Sequence, residues 1–242
     1  MVPEDEVVKI GDDGLSFVAA AATAMGAFVG HDMLRRAASR LSSGGRCLVL
    51  GASGALGTVL LQLLRHREPA VVHVTAVCSG KNADAVRGAG AHEVVDYAVA
   101  PFATQLAAAE QFDVAFDFVG GKEAERGAAS LLAPGGVYVT AVGPVLHMGK
   151  DRKLSARETF ASLGHILRKS LGCRCGGARY RYAMSQAYPP LTAEAWRATA
   201  LEAGARAVIA EEVPFAEAPI REALRRAASH HAGGRLVINM VK

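Results

Sequence analysis

Apolar residues along this 242-residue chain fall in short runs separated by amphipathic stretches. Arg46–Leu50, Val72–Cys78, Glu93–Tyr97, Phe112–Val119 and Val137–Val142 read as five strands. The runs are apolar on both faces, as strands covered by helices on each side must be. Between them, Thr58–Arg65, Ala83–Ala89, Phe102–Gln111 and Glu123–Leu132 read as helices. Gly90, Gly120-Gly121 and Pro134-Gly135-Gly136 punctuate the pattern. Strands alternating with helices predict an α/β fold, a doubly wound parallel Rossmann sheet with right-handed crossovers.

After Pro144 the alternation weakens, and the stretch to Tyr182 reads as helical and irregular. Arg206–Val213 and Leu236–Val241 read as strands flanking a helix at Ala218–Ser229, a strand–helix–strand tail. Ahead of the first strand, Phe17–Gly30 is Ala-rich and too short to cross a bilayer, so it reads as a packed helix. The residues before it include Glu4, Asp5, Glu6, Asp12 and Asp13, the wrong charge for a signal or transit peptide.

Composition changes the picture little: 51% hydrophobic and 21% charged residues are those of an ordinary globular chain. The length holds one large domain, or one domain and part of a second. Charge is informative through its distribution. From Lys150 to Arg181 there are nine Lys/Arg against two Asp/Glu, and the remainder of the chain is net negative. That segment reads as a solvated helical surface or as a site for an anionic partner. RNA is the weaker partner, because no aromatic platform interleaves with the charges. Cys47 and Cys78 sit in apolar strand patterns and read as inert core thiols. Cys173-Arg174-Cys175 has no second Cys or His pair at zinc spacing, so no metal is expected. Nothing in the cysteine usage demands an oxidising compartment.

The chemistry concentrates at Gly51-Ala52-Ser53-Gly54-Ala55-Leu56-Gly57, between the first strand and its helix. Gly51 permits a tight turn, Gly54 lets backbone approach a pyrophosphate, and Gly57 lets helix and strand pack closely. Free amides at the helix mouth, with its dipole, favour phosphate charge. Ligands of such sheets bind beyond the carboxyl ends of the strands, which selects this turn, Ser79–Asn82, Tyr97, Val119–Gly121 and Val142–Pro144. The second strand ends in Cys78-Ser79-Gly80-Lys81-Asn82, without the carboxylate that commonly binds a ribose in NAD sites. Ser79 as donor and Lys81 as a point charge suit a 2′-phosphate, which favours NADPH. The alternative is that both merely cap a turn. Tyr97 offers its hydroxyl or ring to the same pocket, or is a half-buried edge tyrosine. No Tyr-x-x-x-Lys pair of the short-chain dehydrogenase type occurs. No Ser/His/Asp order or carboxylate pair suggests hydrolysis.

Other segments add to the turn: Leu15-Ser16-Phe17 with its Ala run, Val74–Ser79, Phe112-Asp113, Tyr138-Val139-Thr140, Tyr180–Ala183, Val213-Pro214-Phe215, His231-Ala232 and Val237-Ile238-Asn239. In this order, over nearly the whole chain, they resemble the zinc-free, quinone-oxidoreductase-like branch of the medium-chain dehydrogenase/reductase superfamily. The resemblance implies hydride transfer from NADPH to a quinone or enone-like carbonyl, without metal. It implies cofactor contacts at Gly51, Ser53, Gly54, Ala55, Leu56, Gly57, Ser79, Lys81, Tyr97, Val119, Val142, His231 and Ala232. Tyr182 is the one residue expected near the acceptor, the alternative being a tyrosine at a helix or subunit contact.

The resemblance also implies three parts. Residues 1–30 would be the end of a GroES-like catalytic domain and a linking helix. Residues 31–185 would be the NADP-binding Rossmann domain, and residues 186–242 a segment packing toward the catalytic domain. Against the family pattern, most of the GroES-like domain is missing, Val29-Gly30 stands where Thr-Ala is usual, and Gly233 replaces a basic residue. Two functions are therefore expected: a quinone-reductase-type enzyme, or an NADPH-binding sensor or assembly subunit with little catalysis. A homodimer is compatible with exposed tail strands, and the resemblance implies a mitochondrial location, failing which a cytoplasmic one.

Overall fold

The computed structural model describes residues 15–41, 44–66, 71–144, 155–174, 180–185, 192–229 and 232–240. Helix α1 spans Phe17–Leu41, followed by β1 (Gly45–Leu50), α2 (Ala55–His66), β2 (Val71–Cys78), α3 (Ala83–Gly88) and β3 (Glu93–Asp96). Then come α4 (Phe102–Gln105), β4 (Phe112–Asp117), α5 (Lys122–Leu131), β5 (Leu132–Thr140), α6 (Ala156–Arg174) and β6 (Tyr180–Met184). The last elements are α7 (Thr192–Trp196), a π-helical continuation (Arg197–Glu202), β7 (Ile209–Pro214), α8 (Glu217–Ala228) and β8 (Arg235–Asn239).

Six strands pair in the order β3-β2-β1-β4-β5-β6, every pair parallel. The order reverses between β1 and β4, so the two halves of the sheet diverge there and leave a crevice at their carboxyl ends. Residues of α1, α2 and α3 pack with Val49, Val74, Ala76, Val114, Phe116 and Val139 on one face. On the other, residues of α5 and α6 pack with Leu48, Leu50, Val77, Ala115, Tyr138 and Tyr182. Alternate strand residues serve the two layers, which is why the runs are apolar throughout.

Four differences from the sequence reading have physical causes. The sixth strand, Tyr180–Met184, was hidden in the basic stretch; it forms because its backbone pairs with Gly136–Thr140 of β5. Helix α4 is a single turn rather than reaching Gln111, because beyond buried Leu106 the next five side chains are exposed and offer nothing to bury. β5 begins at Leu132, opposite Phe112, so Pro134-Gly135-Gly136 lies inside an irregular strand rather than in a turn before one. α1 runs unbroken past Gly30 to Leu41, longer than the apolar run Phe17–Gly30, because its buried positions continue through Met33, Leu34, Ala37 and Leu41. By length and composition α1 meets the requirement for a membrane-crossing helix, yet half of its most apolar stretch is buried inside the fold.

Small residues set the seat of α1. A Cβ on Gly26 would stand 2.8 Å from Val59 Cγ2, and one on Gly30 would stand 3.0 Å from Leu63 Cδ1. Both glycines admit α2 at close range. Buried Asp32 pairs with Arg36 at 2.7 Å and accepts the Ser185 hydroxyl at 3.0 Å, which ties α1 to the end of β6. The tail is anchored from both helices. Gln62 of α2 donates to Arg206 O at 2.7 Å and accepts Arg206 N at 3.0 Å, and Thr23 Oγ1 of α1 accepts Ala207 N. From there β7 and β8 pair in parallel as a separate two-stranded sheet.

Candidate dinucleotide site

The glycine turn joins β1 to α2 at the crevice. Gly51 adopts φ +74°, and a Cβ on Gly57 would meet Gly51 O at 2.5 Å and Ala52 O at 2.7 Å. Glycine is thus required at both positions by the backbone alone. Thr58 N donates to Gly54 O at 2.9 Å, so the amides of Ala55, Leu56 and Gly57 precede the helical ladder. Gly54 is exposed at the mouth, where a diphosphate would approach. The geometry fits such a group: amides at a twelve-residue helix start, beside the backbone of Gly54, which has no side chain.

Beside the turn, Asn82 donates its amide to Ser53 Oγ at 3.1 Å. This bond links the β1–α2 corner to the segment after β2, where Ser79 is half-buried and Lys81 exposed. Tyr97 is 56% exposed beyond β3, its amide bonded to Cys78 O. The three expected groups therefore line one rim.

That rim is not free of carboxylate, as the end of β2 taken alone suggests. A Cβ on Gly80 would stand 2.4 Å from Asp96 Oδ2, so the Asp96 carboxylate lies against Gly80, which sits between Ser79 and Lys81 in sequence. Asp96 ends β3 rather than β2, and parallel pairing of Cys78 with Asp96 brings it to the rim. It accepts Ala98 N at 2.8 Å. Burial first, and then the Asp96 charge, raise the Cys78 thiol above its ordinary value, so it stays protonated. Burial likewise holds Cys47 protonated, as an inert core thiol.

The floor of the crevice rests on a residue that sequence reasoning missed. Asp117, fully buried at the end of β4, accepts Val119 N at 2.9 Å and Gly120 N at 3.0 Å through Oδ1. Its Oδ2 accepts Tyr138 Oη at 2.6 Å and Thr140 Oγ1 at 2.9 Å. Thr140 Oγ1 in turn accepts Val142 N at 3.1 Å and Gly143 N at 2.9 Å. One carboxylate thus shapes the loops after both β4 and β5. Burial, and next the Asp117 charge, push the Tyr138 phenol far above its usual range, so it remains a donor. A Cβ on Gly51 would stand 3.2 Å from Val119 Cγ2, which places Val119 directly over the glycine turn. An Asp two residues before Val-Gly-Gly at a strand end was the signal available.

Tyr182 lies inside the fold. It is 5% exposed, within the layer under α5 and α6, with its ring 5.7 Å from that of Tyr138 and 6.0 Å from that of His165. Burial, and next the Glu125 charge, raise its phenol above the ordinary value. Strand β6 turns it into the sheet's core. Val29 packs against the core, and Gly30 faces α2. Ala232 lies in the loop entering β8, on the two-stranded unit, and His231 falls outside the described residues.

The family profile described as zinc-binding dehydrogenase matches residues 89–238. The chain belongs to the medium-chain dehydrogenase/reductase superfamily. A mitochondrial NAD(P)H oxidoreductase, RTN4IP1, of Mus musculus is 37% identical over 201 residues, covering 82% of this chain and 48% of the relative. Its Danio rerio counterpart is 32% identical over 233 residues, covering 96% of this chain and 57% of the relative. A 2-methylene-furan-3-one reductase of Solanum lycopersicum is 30% identical over 166 residues, covering 69% and 39%. The chain thus spans about half the length of the curated oxidoreductases it matches.

Among solved structures, the quinone oxidoreductase of Thermus thermophilus superposes with a TM-score of 0.61 at 24% identity, covering 90% of this chain and 64% of that one. That structure shares the fold described above. The profile's description names zinc, and the described residues gather no three His, Cys, Asp or Glu side chains fit to hold a metal.

Proposed function

We propose that this chain is the dinucleotide-binding part of an NADPH-dependent oxidoreductase that reduces a quinone or enone-like carbonyl. The observation that carries the reading is the glycine turn at the mouth of α2, placed at the point where strand order reverses and tied to the β2 rim by Asn82–Ser53. The superfamily supports dinucleotide use, and the Solanum lycopersicum reductase supports an enone-like acceptor. The quinone rests on the family branch that the sequence resembles.

In this reading the amides of Ala55, Leu56 and Gly57 hold the diphosphate. Ser79 donates to the 2′-phosphate, Lys81 supplies positive charge, and Tyr97 covers the adenosine. Asp96 opposes the 2′-phosphate, and the balance between it and Lys81 sets the preference for NADPH over NADH. Asp117 and Thr140 hold the Val119 and Val142 loops against the nicotinamide end. When bound, the reduced dinucleotide would supply the hydride, and the protein contributes orientation and exclusion of water.

A second reading is favoured by Tyr182. That hydroxyl is enclosed in the core rather than open to a substrate, which suits an NADPH-binding sensor or assembly subunit. Relatives named mitochondrial support a mitochondrial site of action.

Titration of intrinsic fluorescence with NADPH and NADH, followed by NADPH oxidation with a short-chain quinone, tests both. Binding with turnover is the expected result. Binding without turnover selects the second reading, and absence of dinucleotide binding overturns both.

A further inference from the structure

Helix α6 turns part of its polar side inward. Beside Ile166, which packs against the core, His165 Nε2 lies 2.7 Å from Glu125 Oε2, and Lys169 Nζ lies 2.9 Å from Glu125 Oε1. Tyr180 donates its hydroxyl to Glu125 Oε1 at 2.6 Å and accepts from Lys169 at 2.6 Å. A buried carboxylate on α5 thus anchors the helix through its polar residues. The outward face carries three large apolar residues. Phe160, Leu163 and Leu167 are 74%, 60% and 57% exposed. Their i, i+3, i+7 spacing puts them in one stripe. At about 100° per residue, exposed Arg157 and Arg168 fall together along one flank of that stripe.

An apolar stripe of this size in water needs a cover. The flanking side chains select its chemistry: Arg157 and Arg168 are both exposed cations. A second copy of the chain meeting the same face would bring like charges together, which disfavours self-association. An apolar stripe edged with arginine matches instead the boundary between acyl chains and anionic headgroups.

We propose that the outward face of α6 docks on an anionic lipid surface, inserting Phe160, Leu163 and Leu167 while Arg157 and Arg168 contact headgroup phosphates. The helix lies in the plane of the interface, its inward face held by Glu125. This surface is separate from the glycine turn, so its test stands or falls independently of dinucleotide binding.

Flotation of the full chain with vesicles of phosphatidylcholine alone, or with about one-third phosphatidylglycerol, tests the proposal. Expected is retention on the anionic vesicles only, weakened by salt. Retention should fall more than about tenfold in R157E/R168E and in F160S/L163S/L167S. Both variants change exposed side chains and should keep the parent's melting temperature and dinucleotide binding. Equal retention on neutral vesicles, absence of retention on either, or retention unchanged in the triple variant overturns the proposal. So does a wild-type dimer in sedimentation that the triple variant reduces to monomer, because the stripe would then be covered by a second copy.

Discussion

Thr140 donates its hydroxyl to Asp117 Oδ2 at 2.9 Å while the same Thr140 oxygen accepts the amides of Val142 and Gly143. The end of β5 and the end of β4 are thereby fixed to each other. Replacing Asp117 by Ala strands Tyr138, Thr140 and two amides in a buried place. Each lost partner costs on the order of 1–3 kcal/mol. The D117A protein should therefore lose at least about 3 kcal/mol in urea unfolding, a large part of the margin of an ordinary domain. T140V keeps the volume and removes the hydroxyl; a loss of roughly 1–3 kcal/mol is expected, with weaker dinucleotide binding.

Gly57 faces two carbonyl oxygens at distances no Cβ can occupy. G57A should push the mouth of α2 away from the turn. Dinucleotide affinity should fall by more than about tenfold in fluorescence titration, since misplaced amides no longer converge on a diphosphate.

In the proposed reading, Asp96 and Lys81 would act on a 2′-phosphate with opposite sign. D96N should raise affinity for NADPH relative to NADH by roughly 3- to 10-fold, and K81A should lower it by a similar factor. NADH affinity should barely move in either. Paired titrations at low and moderate salt check this, and an NADH effect as large as the NADPH effect would contradict the assignment of this rim.

Glu125 ties pH to stability. Burial alone would raise its pKa, but hydrogen bonds from Tyr180, Lys169 and His165, with the His165 charge, outweigh that and lower it. A carboxyl lowered in the folded state stabilises fully above its unfolded value, near 4.5, and loses that contribution as pH falls through the depressed folded value. Thermal unfolding should therefore show a drop in melting temperature on acidification below about 4.5. E125Q should be less stable at neutral pH and show a shallower acid slope.

Gln62 clamps Arg206 by both its backbone groups. Q62L should cost roughly 1–3 kcal/mol and speed hydrogen exchange at the Arg206 amide more than at β1.

Sequence reading placed the glycine turn, Ser79, Lys81 and Tyr97 just beyond strand ends, because the apolar runs before them are visible. It missed Asp117, which looks like any Asp closing a strand until Tyr138 and Thr140 are seen to donate to it. It placed Tyr182 near an acceptor, since nothing local reveals that β6 pairs with β5 and turns that ring inward. The outward stripe of α6 was hidden for a related reason: its polar residues look solvated until Glu125 is found beneath them.

Local periodicity and glycine chemistry are enough to specify a parallel α/β sheet and a glycine turn at a helix mouth, because both depend on neighbours within a few residues. The carboxylate on the nucleotide rim, the buried support under two loops and the inward-turned polar side of α6 arise from partners far apart along the chain. Asp96 reaches Gly80 by strand pairing, Tyr138 and Thr140 reach Asp117 across β4 and β5, and His165 reaches Glu125 between two helices. Packing, which brings such groups into one low-dielectric place, assigns them their charges and their roles.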